Sequence, residues 1–283
     1  MILNMLPNNK VIIFDTTMRD GELTPGVKMN LQDKISLSEI LEEMGVDIIE
    51  VGYPGHYQKD FDETTQLSKL IKKSTICGLA SSSRDEIESV AQAIKSAEKG
   101  RIHTYTPVNL KSQHRLSEEQ VLSEIKDSVC IARNYCDDLE WSAFDATRSE
   151  PDFLCRAIEV AIKSGATTVS IPDSLGLASP EEFSQLIKMI VNRVPNIDEA
   201  VISVHCHDDL GKAVENSISA LSCGARQIEC AINGLGARKG NADLEKVVMG
   251  VLARGDYQVG IDTSLMSKAS ELVAEITGIG KEK

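Results

Sequence analysis

The feature that most restricts the fold of this chain is an alternation repeated along nearly its whole length: a short β-type run, a polar turn, then a segment of helical periodicity. Val11-Ile12-Ile13-Phe14 begins it, followed by the polar stretch Asp15 to Glu22 and a helical pattern from Leu31 to Met44 that Gly45 stops. Asp47 to Gly52 precedes a helix around Phe61 to Lys72, Thr75 to Ala80 one near Asp85 to Ala97, and Arg101 to Tyr105 one near Glu118 to Asn134. Asp138 to Ser142 leads to a helix near Pro151 to Lys163 with Gly165 as its stop, and Thr168 to Ile171 to one near Pro180 to Val191. Ala200-Val201-Ile202 runs into Ser203-Val204-His205-Cys206-His207-Asp208-Asp209-Leu210-Gly211 and a helix over Lys212 to Leu221. Ala225 to Cys230 then leads to one near Ala242 to Leu252. Eight such units in about 250 residues have the length and rhythm of an α/β fold of the closed parallel type, the (β/α)8 TIM barrel.

An open doubly wound sheet is the rival, but a nucleotide site of that fold needs G-x-G-x-x-G after the first strand, and Gly21 and Gly26 do not supply it. The loop Gly234-Leu235-Gly236-Ala237-Arg238-Lys239-Gly240 is one residue too long for that fingerprint and follows the last strand, so it reads as a place of close backbone approach. No Pro/Gly/Ser-rich linker divides the alternation, so residues 1–256 read as one domain. A hydrophobic share of 42% suffices for a large core, and with aromatics at 4% it is filled by aliphatic residues and alanine. No stretch has the uninterrupted apolar length of a membrane span, and Met1 to Met5 shows no basic region followed by an apolar one. Seven cysteines without CxxC spacing suit reduced thiols, and a net charge of −13 argues against bulk electrostatic binding of nucleic acid. The expectation is a cytoplasmic protein with no nucleic-acid or membrane partner.

In a barrel of this kind the site lies at the C-terminal ends of the strands. Alternation along a strand points His205 and His207 the same way. Strand eight closes against strand one, so Asp20, His205, His207 and Asn241 come from three adjacent strands. They make a mixed oxygen and nitrogen set suited to Mn²⁺, Mg²⁺ or Zn²⁺ with positions left for substrate. Arg19 places a fork of donors beside it. Taken alone, Asp15, Arg19 and Asp20 read as a solvated loop, and His205 with His207 as a strand end with hydrogen-bonded histidines; it is the convergence that makes a site.

The string I-I-F-D-T-T-M-R-D-G-E-L-T-P-G ending at Gly26, S-V-H-C-H-D-D-L-G from Ser203 and I-N-G-L-G-A-R-K-G-N-A from Ile232 resemble the 2-isopropylmalate synthase, citramalate synthase and homocitrate synthase family. G-V-D-I-I-E from Gly45, R-I-H-T from Arg101, F-D-A-T-R-S-E from Phe144 and S-I-P-D-S from Ser170 recur in the family's order, and the likeness runs from Val11 to Ile279. The resemblance implies a metal-dependent barrel that joins an acyl-CoA, such as acetyl-CoA, to a 2-keto acid in a Claisen-type condensation, as in leucine biosynthesis, and it implies a homodimer. It carries Asp20, His205, His207 and Asn241 over as metal ligands, Arg19 as the residue facing the keto acid, and Ser174 as the counterpart of a substrate-binding threonine. Ser142, Ser170 and His103 match substrate-pocket positions. The reaction needs a base for the acyl α-proton, for which Glu50 and His103 are the candidates at strand ends.

The departures sit near the chemistry. Leu23 replaces the family's glutamine, Ser81 an arginine, Asp208 an asparagine and Ala237 a glutamate, while Phe144 stands where the family carries a glutamate proposed to act in catalysis. The segment Tyr105 to Arg115 matches poorly. An apolar wall at Phe144 predicts a related condensation on a bulkier or less polar substrate. Residues 257–283 correspond to the start of the family's linker region, whose later parts reach over a partner's site and carry a feedback domain. The expectation for the chain as given is weak or absent synthase turnover and no amino-acid feedback. Two other readings remain: a lyase similar to hydroxymethylglutaryl-CoA lyase, whose loop cysteine is absent from Gly234 to Gly240, and a barrel that binds metal and keto acid without turnover.

Overall fold

In the computed structural model of the chain, residues 9–111 and 117–280 are described. The N-terminal stretch Met1 to Met5, part of the poorly matched Tyr105 to Arg115 segment and the last three residues of the expected linker start lie outside them.

Eight parallel strands close into a ring in chain order. They are β1 (Ile12–Asp15), β2 (Ile48–Gly52), β3 (Thr75–Ala80), β4 (Gly100–Pro107), β5 (Leu139–Phe144), β6 (Thr168–Asp173), β7 (Val201–Cys206) and β8 (Gln227–Cys230). Closure is made by β1 against β8, in the register Ile13 to Ile228 and Asp15 to Cys230. The helices α1 (Leu31–Met44), α2 (Gln58–Leu70), α3 (Arg84–Ala93), α4 (Glu118–Arg133), α5 (Pro151–Ser164), α6 (Pro180–Arg193), α7 (Ala213–Leu221) and α8 (Leu244–Arg254) alternate with them. A ninth, α9 (Met266–Thr277), follows. The (β/α)8 barrel expected from the alternation is the fold found.

Local sequence sets the ends of these elements. Asn30, Ser117 and Ser179 cap α1, α4 and α6 through reciprocal boxes with Asp33, Gln120 and Glu182. Pro151 and Pro180 open α5 and α6, where a missing amide costs nothing. Gly45 ends α1 with φ +88°, and a β-carbon there would lie 2.4 Å from the Gly260 carbonyl oxygen. That contact seats the segment after α8 against the barrel: Asp262 donates its amide to Met44 O, Val11 donates to Gln258 O, and α9 packs on α1.

Period-two alternation divides the strand side chains. Val11, Ile13 and Asp15 point toward the helices, where Val11 and Ile13 join the large shared core. Ile12 and Phe14 join Ile48, Cys77 and Val201 in a small separate cluster inside the ring. Beside it, level in the strand register, the barrel interior is polar and tightly paired. Arg101 donates to Glu140, Gln227 and Asp138, and Gln227 donates to Glu140 and Ser203, with Glu140, Gln227 and Ser203 fully buried. Closure alone brings these groups from β4, β5, β7 and β8 together.

Candidate active site

The turn after β1 is built so that Asp20 has little freedom. Thr16 Oγ1 accepts the Asp20 amide at 3.2 Å and donates to Glu50 Oε2 at 2.7 Å, and Asp20 Oδ1 accepts the Ala237 amide at 3.2 Å. Its other oxygen, Oδ2, lies 4.0 Å from His205 Nε2, 3.9 Å from His207 Nε2 and 3.3 Å from Arg19 Nη1. The two imidazoles face each other with centroids 5.0 Å apart. One ligand atom from each of Asp20, His205 and His207 lies within 4.8 Å of the other two, and all three residues are buried. Asn241 Oδ1 sits 2.8 Å from His205 Nε2, while its Nδ2 donates to Leu235 O. The four residues predicted to meet therefore do meet.

These groups fit a divalent cation. With bonds of roughly 2.0–2.3 Å to nitrogen and oxygen, ligand atoms spaced as they are here can surround one centre after small side-chain shifts. A cation there would take the place of a proton. Burial opposes a charge on His205, but the Glu229 and Asp20 carboxylates outweigh it and push the ring up to about 9, so its Nε2 proton stands where a metal ion would bond. Burial and the charge on His205 push His207 down to about 4, leaving a neutral ring whose Nδ1 is buried without a hydrogen-bond partner. Burial works against the Asp20 carboxylate as well, but Arg19 and the two histidines hold it below its usual range.

Under this group lies a carboxylate that the sequence reading passed over. Glu229, fully buried on β8, accepts a hydrogen bond from His205 Nδ1 at 2.6 Å and from the Ser170 and Ser203 hydroxyls at 2.5 and 3.0 Å. Burial raises its pKa, yet the His205 charge overrides that and holds it well below the carboxylate range. A carboxylate behind a ligating histidine fixes which ring nitrogen faces the metal. The signal was present in Gln227-x-Glu229, a period-two polar pair within a strand that is buried once the ring closes.

Glu50 and His103 form a second knot beside Arg19. Glu50 Oε2 accepts Arg19 Nε at 2.6 Å, and its Oε1 lies 2.9 Å from His103 Nδ1. Despite burial, Arg19 and His103 keep Glu50 below its usual range. Burial works against a charged His103, but Glu50, Glu140 and Glu229 raise it, and its Nε2 is buried with no partner. The serines part company. Ser142 is buried on β5, one inward-facing step below Phe144; Ser170 is bonded to Glu229; and Ser174 Oγ accepts the Asp145 amide at 2.9 Å.

The glycine loop after β8 supplies Asn241 by close backbone packing. A β-carbon on Gly236 would lie 2.2 Å from Asn241 Nδ2, and one on Gly240, at φ +95°, would lie 1.9 Å from Gly234 O. Asp208 donates its amide to Gly240 O and Ala242 to Cys206 O, which ties the loop to the end of β7. Arg238 grips both Asp209 oxygens at 2.9 Å and donates to Ser174 O.

Comparison with known proteins places this arrangement among relatives. The chain is 48% identical over 276 residues to a 2-isopropylmalate synthase of Caulobacter vibrioides, covering 95% of this chain and 53% of that protein. It is 50% identical over 275 residues to one of Rhodopseudomonas palustris, covering 95% and 52%. The chain thus spans about half the length of the curated relatives it matches. Among solved structures, the HMG-CoA lyase of Bacillus subtilis superposes with a TM-score of 0.81 at 20% identity, covering 97% of this chain and 96% of that one. A hydroxymethylglutaryl-CoA lyase of Pseudomonas aeruginosa gives 0.78 at 21%, covering 96% and 95%, a likeness of fold. The HMGL-like family model matches residues 10–273, from before β1 into α9, and the chain belongs to that family.

Proposed function

We propose that this chain is the catalytic barrel of a metal-dependent acyltransferase that condenses an acyl-CoA with a 2-keto acid, as the relatives named 2-isopropylmalate synthase do. The observation that carries the reading is the meeting of Asp20, His205 and His207 within 4.8 Å at the barrel mouth, with the Arg19 guanidinium 3.3 Å from Asp20. Asp20, His205 and His207, completed by Asn241, would hold Mn²⁺, Mg²⁺ or Zn²⁺, which when bound supplies Lewis-acid polarisation of the keto carbonyl. Arg19 spends Nε on Glu50 and Nη1 on Asp20. That leaves Nη2 for the keto-acid carboxylate or for the alkoxide that forms as the acyl α-carbon attacks. We assign Glu50 and His103 to the reaction through Arg19, whose fork they hold against the metal ligands. Ser142 is the substrate-facing serine in this reading, whereas Ser170 supports Glu229 and Ser174 latches the loop after β5.

The finer proposals follow the same relatives: acetyl-CoA as acyl donor, a place in leucine biosynthesis, a homodimer, and a cytoplasmic location. No helix among the described residues is long and apolar enough to cross a membrane. Residues 1–256 are proposed as the catalytic domain and 257–283 as the start of its linker. The lyase reading is weaker: Gly234 to Gly240 holds no cysteine, and Cys230 lies in β8, its thiol pushed far up by burial.

The test is CoA release from acetyl-CoA by Mn²⁺-loaded protein, run against a panel of 2-keto acids. The expected result is slow, keto-acid-dependent release that chelation stops and Asp20→Asn or His207→Ala abolishes. Release that is independent of metal, or absent with every keto acid, would overturn the proposal.

A further inference from the structure

The proposed metal ligands and Arg19 stand at or beyond the C-terminal ends of β1, β7 and β8. In a ring of eight strands the opposite wall belongs to β4 and β5, and there the chain places aromatic rings. Tyr105 is one inward-facing step above His103 on β4, and Phe144 one step above Ser142 on β5. Their ring centroids are 6.1 Å apart. Tyr53, just past β2, continues the row with its centroid 6.4 Å from Tyr105 and its hydroxyl 3.2 Å from the Tyr105 hydroxyl. The chain holds only five tyrosines, five phenylalanines and one tryptophan, so three contiguous rings at one rim are a concentration. Phe144 is 48% exposed, an apolar ring turned out of the core at the end of an otherwise buried strand.

From this juxtaposition we infer that Phe144 and Tyr105 set substrate choice, and that the 2-keto acid taken by this chain carries a bulky, ring-bearing apolar side chain. The inference rests on the reading of the site as one that binds a 2-keto acid. A keto acid anchored at Arg19 and the metal ligands on one wall projects its side chain across the mouth toward β4 and β5. The groups that receive it there are ring faces and edges, which pair with another ring in offset or edge-to-face geometry and add to the simple burial of apolar area. A carboxylate at position 144 would be desolvated by such a side chain, and a phenyl ring is not.

The experiment is calorimetric titration of Mn²⁺-loaded protein with phenylpyruvate, pyruvate, 3-methyl-2-oxobutanoate and CoA, repeated on Phe144→Glu and Tyr105→Leu, each checked for native far-UV circular dichroism. The expected result is phenylpyruvate bound at least about tenfold more tightly than pyruvate or 3-methyl-2-oxobutanoate, since its ring buries the larger apolar surface. In both variants that ratio should fall toward one. Equal or tighter binding of the small keto acids overturns the inference while leaving the proposed function standing. A Phe144→Glu variant that loses CoA binding but keeps the phenylpyruvate preference assigns the wall to the cofactor's adenine and overturns it too. Failure of every keto acid to bind the metal-loaded protein removes the underlying reading, and the inference with it.

Discussion

Glu229 shows how a single side chain can matter most where the sequence is least outspoken. Within Ile228-Glu229-Cys230 a lone charge reads as the solvated side of a half-buried strand; only ring closure turns that side inward and brings His205, Ser170 and Ser203 to it. The meeting of Asp20, His205, His207 and Asn241 was legible because candidate metal ligands come from a short list of residue types and the barrel says which strand ends meet. A supporting carboxylate has no such restriction. Glu229→Gln keeps the shape but cannot hold the His205 Nδ1 proton against a charge, so Mn²⁺ affinity should drop by roughly 10- to 100-fold. Calorimetry reads the loss, with circular dichroism unchanged. Asp15 carries a different consequence. Burial pushes its carboxyl up to about 7 against the hydrogen bonds from Thr17, whereas an unfolded chain titrates it near 3.8. Between those values the unfolded state has released the proton and the native state still binds it, so stability falls as pH rises from about 4 to about 7. Asp15→Asn retains an acceptor for the Thr17 amide without a charge to bury. Its unfolding free energy relative to the parent should therefore rise between pH 5 and pH 8, by an amount on the order of a few kcal/mol. Urea melts at the two pH values measure it, and a pH-independent difference would count against the buried-carboxyl account.

At the scale of elements, the strands and helices were readable in proportion to how local their causes are. Gly45 and Gly165 end α1 and α5 in the left-handed conformation their positions announced, at φ +88° and +118°. The start of α2 was not announced: it begins at Gln58, before the expected Phe61, behind Tyr57, which makes no side-chain cap bond. Its end also comes early, because Ile71 leaves the helix for extended backbone and is buried there. Helix α9 has ordinary helical composition, but its docking on α1 depends on Gly45 and Gly260 approaching, which no periodicity encodes. Two glycine substitutions separate stability from function. Gly45→Ala places a β-carbon against Gly260 O at φ +88°, so it should lower stability by about 1–3 kcal/mol and leave Mn²⁺ affinity within about twofold. Gly236→Ala drives a β-carbon into Asn241 Nδ2 at the edge of the proposed metal ligands. It should weaken Mn²⁺ by at least about tenfold, the range seen when groups supporting a metal site are lost, with a smaller change in the urea midpoint. Reversal of that pattern would mean that the loop packing serves the fold and not the ligand.

Over the whole molecule, charge is divided unevenly between surface and axis. A chain of net charge −13 keeps Arg19, Arg101, His103 and His205 inside its barrel, each against a carboxylate: Glu50, Glu140 and Glu229, with Asp20 at the mouth. Ion pairs taken from water contribute little net stability, because desolvation offsets attraction; what such a network adds is a fixed geometry along the axis of the ring. The end of the ring that carries Asp20, His205 and His207, proposed to bind a metal, is then the part of the fold expected to respond most to a ligand. A cation that binds the native state and not the unfolded chain stabilises by RT ln(1 + [L]/Kd), about 2.7 kcal/mol at a hundredfold excess over Kd. For a domain near this size each kcal/mol moves the melting temperature by roughly 2–4 °C, so saturating Mn²⁺ should raise the melting temperature by about 5 °C or more. Chelation should return it to the metal-free value. His207→Ala removes one ligand whose Nδ1 is otherwise unpartnered; its metal-free melting temperature should stay close to the parent's while the Mn²⁺ shift disappears. Differential scanning calorimetry of the two proteins, with and without Mn²⁺, decides the matter: an equal shift in both would place the ion elsewhere on an acidic surface and leave the barrel mouth without a metal.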